Sequence, residues 1–546
     1  MVTCTIEGDS AVANGGGIYN SGAIGPINNC KVDFDSTTTY SGFLGNGGGI
    51  CNRGANLRIY SSSEINHDTA GGSGGGIFNI QGNITIGSGQ VSDDCQVSYD
   101  RASNAGAMHG YSFDQRSQGG GIANRAVGNT VTLQNTSVDH DISYGDGGGI
   151  FNNEGDTLTI IGGEVRNDTT GELGGGIKTD GHATISGDCI ISGNLADDSL
   201  LNVGRGGGIV NGPNDYLNIS NCVISDNIAL EDGGGIESRL GATAVLINDT
   251  IGGNTVIGGD GFTNLAGLKE GGGGVRSIGA SITLTGCNIS GNEVSPSVSE
   301  TTTPYAGGGV YLSIGTVILS GDTITGNSVG HTVGGSTRYG GGVCILSGSD
   351  TLTSCTISND TVVGGNGGGL YSANATATVT LCTIDGDSAV NGGGVDVVSG
   401  GIVMTGTTIA NDAATGNGGG ISNNTTSTLT ACTISGDSTG GAGLGGGVYN
   451  GPSATLILIN STIANDTAYK GGGIEDENAL TCTNCTISGD LATENSQNDL
   501  NSAGGLDIQD NGSTSGNNVS LYNTIIAGNL RQTVGGESTV GCDEER

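Results

Sequence analysis

A chain of 546 residues with 111 glycines, no Trp and only 34% apolar residues falls short of the roughly 45–50% apolar content of ordinary globular domains. Lys and Arg number 16 against 53 Asp and Glu, for a formal net charge of −37, which argues against nucleic acid or an anionic membrane surface as partner, because both demand clustered basic residues. No stretch approaches the eighteen or more apolar residues of a membrane helix, and Met1-Val2-Thr3-Cys4 is neither a basic nor an apolar secretory region.

High glycine with high net charge would point to disorder, but the spacing of the residues reverses that. A Gly-Gly-Gly block followed by Ile, Val or Leu occurs sixteen times, from Ile18 to Ile474, at spacings of 25 to 45 residues. The chain opens inside a repeat, TCTIEGD at Thr3 to Asp9 matching ACTISGD at Ala431 to Asp437. It is therefore expected to be an internal piece of a longer protein whose export signal lies upstream.

In chain order, each unit begins with the Gly block leading into a strand, as in GGGIYN and GGGIFN. Runs such as Leu158-Thr159-Ile160 and Ile282-Thr283-Leu284 signal a second strand. The third is the phrase Cys-Thr-Ile-Ser-Gly-Asp, of which eighteen copies align without gaps. Its third column is always Ile or Val between small polar residues, the alternation of a strand with one buried face. Its fifth column is Gly, Asn, Asp226, His67 or His140, residue types that tolerate a left-handed backbone at a corner, with Phe34 and Tyr99 as exceptions. The sixth column is always Asp or Asn: six Asp from Asp9 to Asp168, five Asn from Asn194 to Asn327, six more Asp, then Asn529. Three short strands and two turn signals per unit describe one coil of a solenoid.

These phrases resemble the Gly-Gly-Ala-Ile and Phe-x-x-Asn repeats of chlamydial polymorphic outer-membrane proteins, and more broadly the pectin-lyase-like right-handed parallel β-helix proteins. The third block residue here is Gly where the chlamydial repeat has Ala. The resemblance implies an all-β, right-handed parallel β-helix solenoid of about 18 coils of roughly 26 residues each, with three short strands per coil. One solenoid is expected over residues 1–530, with an irregular tail over 531–546. Ten of the fourteen Cys fall in the first phrase column, where a stack of small buried thiols is expected; adjacent pairs such as Cys4 and Cys30, or Cys355 and Cys382, come within disulfide reach.

Carboxylates are the abundant reactive groups, yet a ladder of coils reproduces glycosidase carboxylate separations by geometry alone, so their spacing identifies no active site. No nucleophile elbow, phosphate loop or metalloprotease motif is present in the sequence. Two ionised carboxylates about 5 Å apart repel by roughly 0.8 kcal/mol in water. The file Asp360, Asp387, Asp412, Asp437, Asp466 and Asp490 is therefore read either as a weak Ca²⁺ site or as a solvated ladder of turn acceptors. Long loops leave after Asp35 and Asp100 and, in mid-chain coils, after Asn194, Asn254, Asn292 and Asn327; the mid-chain group carries Arg205, Lys269, Tyr305, His331, Arg338 and Tyr339. Variable loops on a regular scaffold are where binding concentrates, so these six are the candidate ligand-binding residues.

The function expected is a non-enzymatic, secreted or cell-surface repeat protein, extracellular or on a bacterial surface, acting as a rigid adhesin-like or structural rod. Its partners would be surface glycans or other surface proteins, including further copies of itself. The alternative is a polysaccharide-active β-helix lyase or hydrolase, which an Arg or Lys beside a carboxylate cluster near the long loops would support. Ice binding through the outward Thr column is a weaker third reading, because the second rank mixes Ser358, Asp385, Ala410, Ser435 and Ala464.

Overall fold

The computed structural model describes residues 3–22, 24–38, 44–54, 56–88, 94–103, 117–197, 204–258, 270–295, 304–330, 337–494, 502–509, 518–532 and 538–540. Every regular element among them is a β-strand. Two compact units are present, one of residues 1–264 and 272–282, the other of residues 265–271 and 283–546. Each is built of coils of a right-handed parallel β-helix with three parallel sheets.

In a coil of the second unit, Ile421–Asn423 follows the Gly block, Thr426–Thr430 and Thr433–Ser435 form one bent strand, and Ser438–Thr439 follows the acidic corner. The bend is made at Ala431, whose φ of 54° is left-handed. In the first unit the same strand runs unbroken through Thr130–Asp139 and Thr157–Arg166. The 538–540 segment, placed by the sequence in an irregular tail, pairs antiparallel with Leu530–Gln532.

Matching letters become touching neighbours. Ile357 pairs with Ile384, Ile384 with Ile409 and Ile409 with Ile434, all fully buried. The first unit repeats this from Val32 through Ile65, Val97, Val138 and Val165. Each buried aliphatic side chain contributes about 1.5–3 kcal/mol, and stacking supplies one per coil. The first-column cysteines Cys30, Cys95, Cys189, Cys222, Cys287, Cys355, Cys382, Cys432 and Cys485 are buried thiols.

At a second corner a file of amides runs through Asn20, Asn52, Asn79, Asn124 and Asn152. Each Nδ2 donates to the next Oδ1, at 2.6, 2.9, 2.8 and 2.9 Å.

The two fifth-column exceptions also turn left-handed, at φ 56° for Phe34 and 59° for Tyr99. Their rings stack with the intervening histidines: Phe34 on His67 at 4.7 Å, His67 on Tyr99 at 5.1 Å, and Tyr99 on His140 at 4.7 Å between centroids. Ring stacking of this kind is worth about 0.5–1.5 kcal/mol per pair, comparable with the roughly 1–2 kcal/mol cost of a left-handed side-chain-bearing residue.

Candidate functional site on the covered outer face

In the strand that follows each Gly block, Ile177 and Thr179 point inward, so Lys178 between them points out of the coil. Lys178 is nevertheless only 2% exposed. The chain that enters the Gly block lies over this outward file. Leu173, Arg205 and Asp232 are bridged to one another in parallel one residue before their blocks. A Cβ on Gly206 would stand 2.2 Å from Val210 Cγ2, and one on Gly272 would stand 2.7 Å from Arg276 Cβ. A narrow compartment thus forms between the sheet and its cover, filled by whichever residue follows the block's aliphatic residue.

In the first unit that file reads Phe151, Lys178, Val210, Glu237, Arg276. Arg205 Nε lies 2.7 Å from Glu231 Oε2 and 3.3 Å from Asp232 Oδ2. Arg276 Nη1 lies 3.1 Å from Asp232 Oδ2 and 2.8 Å from Glu237 Oε1, while Arg239 holds Glu237 Oε2 at 3.0 Å. Three guanidiniums face three carboxylates, so the cluster is neutral as a whole. Burial alone would raise the Glu237 carboxyl; Arg239, Arg276 and Arg205 outweigh it and hold that carboxyl at about 2. Burial pushes Glu231 up to about 7 against the pull of Arg205. Lys178 is ion-paired with Asp180.

In the second unit the cover is a three-stranded parallel ladder, with Glu270 opposite Tyr305, Tyr305 opposite Arg338, and Ala306 opposite Tyr339. Tyr305 and Tyr311 are fully buried, and the Tyr339 and Tyr371 rings meet at 4.4 Å. Arg338 is 5% exposed. Its Nη1 donates to the Val363 carbonyl at 2.9 Å, whereas Nε and Nη2 are buried without a hydrogen-bond partner. No carboxylate among the described residues comes within 4.0 Å of this guanidinium. Val363 and Gly364 beside it are exposed, so the cation sits one layer beneath the surface. A buried guanidinium without a counter-charge is costly, and an incoming anion would relieve that cost through bidentate hydrogen bonds. Further along the same outward file, burial pushes Asp396 up to about 7 and Glu475 up to about 9.

Of the six residues taken as ligand-binding from the sequence, Tyr305, Arg338 and Tyr339 come together on this ladder. Arg205 belongs to the first unit's charge cluster, and Lys269 and His331 lie outside the described residues. The six candidate metal ligands, Asp360, Asp387, Asp412, Asp437, Asp466 and Asp490, do form one file, but each is at most 1% exposed. The ladder is therefore dry, because the Gly blocks close over the carboxyls, and this corrects the solvated ladder of turn acceptors that the sequence offered beside a weak Ca²⁺ site. Among the described residues no group of three His, Cys, Asp or Glu side chains is placed to hold a metal ion.

Sequence reasoning passed over Lys178, Glu237 and Arg276. Their signal was a charge directly after the aliphatic residue of a Gly block, where most other coils carry Phe, Ala, Val, Cys, Ser or Tyr, Asp396 and Glu475 being the other charged cases. No protein-family model and no curated protein matches the chain.

Proposed function

We propose that this chain is a non-enzymatic, secreted or cell-surface repeat protein whose coils act as an adhesin-like scaffold, and that the covered face of the second unit binds an acidic group on a partner, such as the carboxylate of a surface glycan. The observation that carries the reading is Arg338, a buried guanidinium with two donor nitrogens unused and the exposed Val363–Gly364 turn beside it. Tyr305 and Tyr339, on the same short ladder, supply the aromatic surroundings usual in binding sites. The likeness of GGGIYN and GGGIFN to chlamydial polymorphic outer-membrane repeats, and to pectin-lyase-like β-helices, supports a placement at the cell surface or outside the cell. Other surface proteins, including a second copy of this chain, are partners of the same class.

The test is a binding titration with an acidic oligogalacturonate and a neutral glucan of equal length. The acidic oligomer binds and is recovered intact, the neutral one does not bind, and Arg338→Met weakens binding about tenfold or more, the weight of one charged hydrogen-bonding pair. Equal binding of both oligomers, or of both proteins, contradicts the reading.

The alternative, a polysaccharide-active enzyme, draws on Arg205 beside Glu231 and Asp232 in the first unit, with Glu231 pushed up to about 7. The same panel separates the two, since release of unsaturated or reducing ends favours the enzyme.

A further inference from the structure

The acidic corner of the first unit holds two chemically different residues in one geometric place. From Asp9 to Asn227 each backbone N–H donates to Oδ1 of the next coil's Asp or Asn. The distances are 2.7 Å for Asp35 to Asp68, 2.7 Å for Asp68 to Asp100, 2.8 Å for Asp100 to Asp141 and 3.0 Å for Asp168 to Asn194. The second side-chain atom is where the two residue types differ.

In the Asn coils that atom is a donor. Nδ2 of Asn194 reaches the main-chain carbonyl of Val165 at 3.0 Å, Nδ2 of Asn227 that of Ile191 at 3.0 Å, and Nδ2 of Asn254 that of Ile224 at 2.9 Å. Each accepting carbonyl belongs to the core residue of the preceding coil. In the Asp coils the corresponding atom is Oδ2, and it is buried with no hydrogen-bond partner in Asp35, Asp68, Asp100, Asp141 and Asp168. The third glycine of the preceding block marks the shared place. A Cβ there would meet Oδ2 at 2.2 Å for Asp35, Asp68 and Asp100 and at 2.3 Å for Asp141 and Asp168, and would meet Nδ2 at 2.8 Å for Asn194 and 3.0 Å for Asn227 and Asn254.

An ionised carboxylate in that place would aim a lone pair at a carbonyl oxygen, beside like charges one coil above and below, with no water in reach. A protonated one would donate where the amide does.

We propose that Asp35, Asp68, Asp100, Asp141 and Asp168 stand in the folded protein as neutral carboxylic acids, each carrying its proton on Oδ2 and donating it to the main-chain carbonyl of the preceding coil's core residue. For Asp68, Asp100, Asp141 and Asp168 these carbonyls belong to Val32, Ile65, Val97 and Val138. Each proton comes from solvent as the coil closes and returns to it when the coil opens. The file is thus a proton lock, set at low pH and released at high pH. The other acids facing it add like charge: Asp33 faces Asp35, Asp68 and Asp100, Asp139 faces Asp100, Asp141 and Asp168, and Glu7 and Asp9 face Asp35. Arg166 brings a positive charge toward Asp168, Lys31 Nζ lies 2.8 Å from Asp33 Oδ2, and the His67 and His140 rings lie 3.0 and 2.8 Å from Asp33 and Asp139. Burial raises all five carboxyls, Asp68 to about 9. The unpartnered Oδ2 recurs in the second unit from Asp360 to Asp490.

Unfolding the whole chain by urea in unbuffered solution held at pH 7 tests the lock, because acids that are neutral when folded ionise in the open chain and release protons. The wild type should release protons, and Asp100→Asn with Asp141→Asn should release about two fewer, one per acid removed. Identical release from both proteins overturns the proposal. Should that double variant fail to fold, infrared spectra of the wild type with ¹³C in its Asp carboxyls decide instead. A protonated-carboxyl band at pH 7 that vanishes on unfolding upholds the lock, and its absence from the folded protein overturns it.

Discussion

Asp100 donates its backbone N–H to Oδ1 of Asp141 at 2.8 Å across 41 residues of sequence, and the other oxygen of Asp141 lies under Gly121, where a Cβ would stand 2.3 Å from it. That relationship ties together the two most repetitive features of the chain, the acidic corner and the Gly block. The third glycine is required because the next coil's carboxyl occupies the space a methyl group would take.

Gly149→Ala should therefore destabilise the first unit more than Gly208→Ala. The methyl group meets Asp168 Oδ2 at 2.3 Å in the first case; in the second it meets the Gly235 carbonyl at 2.6 Å and Asn227 Nδ2 at 3.0 Å. Overpacking of this kind costs about 1–3 kcal/mol, and urea midpoints of the two variants order them. Equal midpoints contradict the assignment of the third glycine to the carboxyl.

Stability should fall as pH rises. The column acids are raised by burial, Asp68 to about 9 and Asp100, Asp141 and Asp168 well above their ordinary 3.8. An acid raised on folding binds more protons folded than unfolded, so its stabilisation is complete below the ordinary value and is lost as pH climbs through the folded one. Glu237, lowered to about 2, has the opposite sign, but its contribution is lost only as pH falls below its ordinary 4.5. Thermal midpoints should decline between pH 5 and pH 9, and a rise across that window runs against the account.

Arg276→Ala should cost about 3–5 kcal/mol, because it leaves Asp232 and Glu237 buried with one guanidinium fewer. Arg166→Ala, which removes a half-exposed partner of Glu164, should cost no more than about 1 kcal/mol. Denaturation of the two variants measures the difference.

Tyr99→Ala should cost about 1–2 kcal/mol, since the ring's stacking on His67 and His140 goes while the left-handed backbone stays. Tyr99→Gly removes the same stacking and relieves the backbone, so it should be the milder of the two. The reverse order would show that stacking does not hold this corner.

Much of the fold was legible because each position carries one recurring requirement. Ile357, Ile384 and Ile409 could be assigned to one interior file from spacing alone, and the structure pairs them in register. Phe34 and Tyr99 stood out as misfits, because a local rule about φ says nothing of rings stacked from neighbouring coils. The site was less legible. Glu237 and Arg276 meet across 39 residues, and their contact depends on how the cover strand folds back over the sheet, which glycine counts do not encode. The dryness of the acidic file was hidden for a related reason: a letter D reads as charge until the surrounding coil determines whether water reaches it.

The most direct test of the stacking is long-range methyl contact in the first unit. With Ile methyl groups labelled, nuclear Overhauser effects should link Ile150 to Ile177, Ile177 to Ile209 and Ile209 to Ile236, each pair opposed in register, and should be absent between Ile150 and Ile236. Methyl contacts confined to residues within one repeat would contradict the stacking on which every file described above depends.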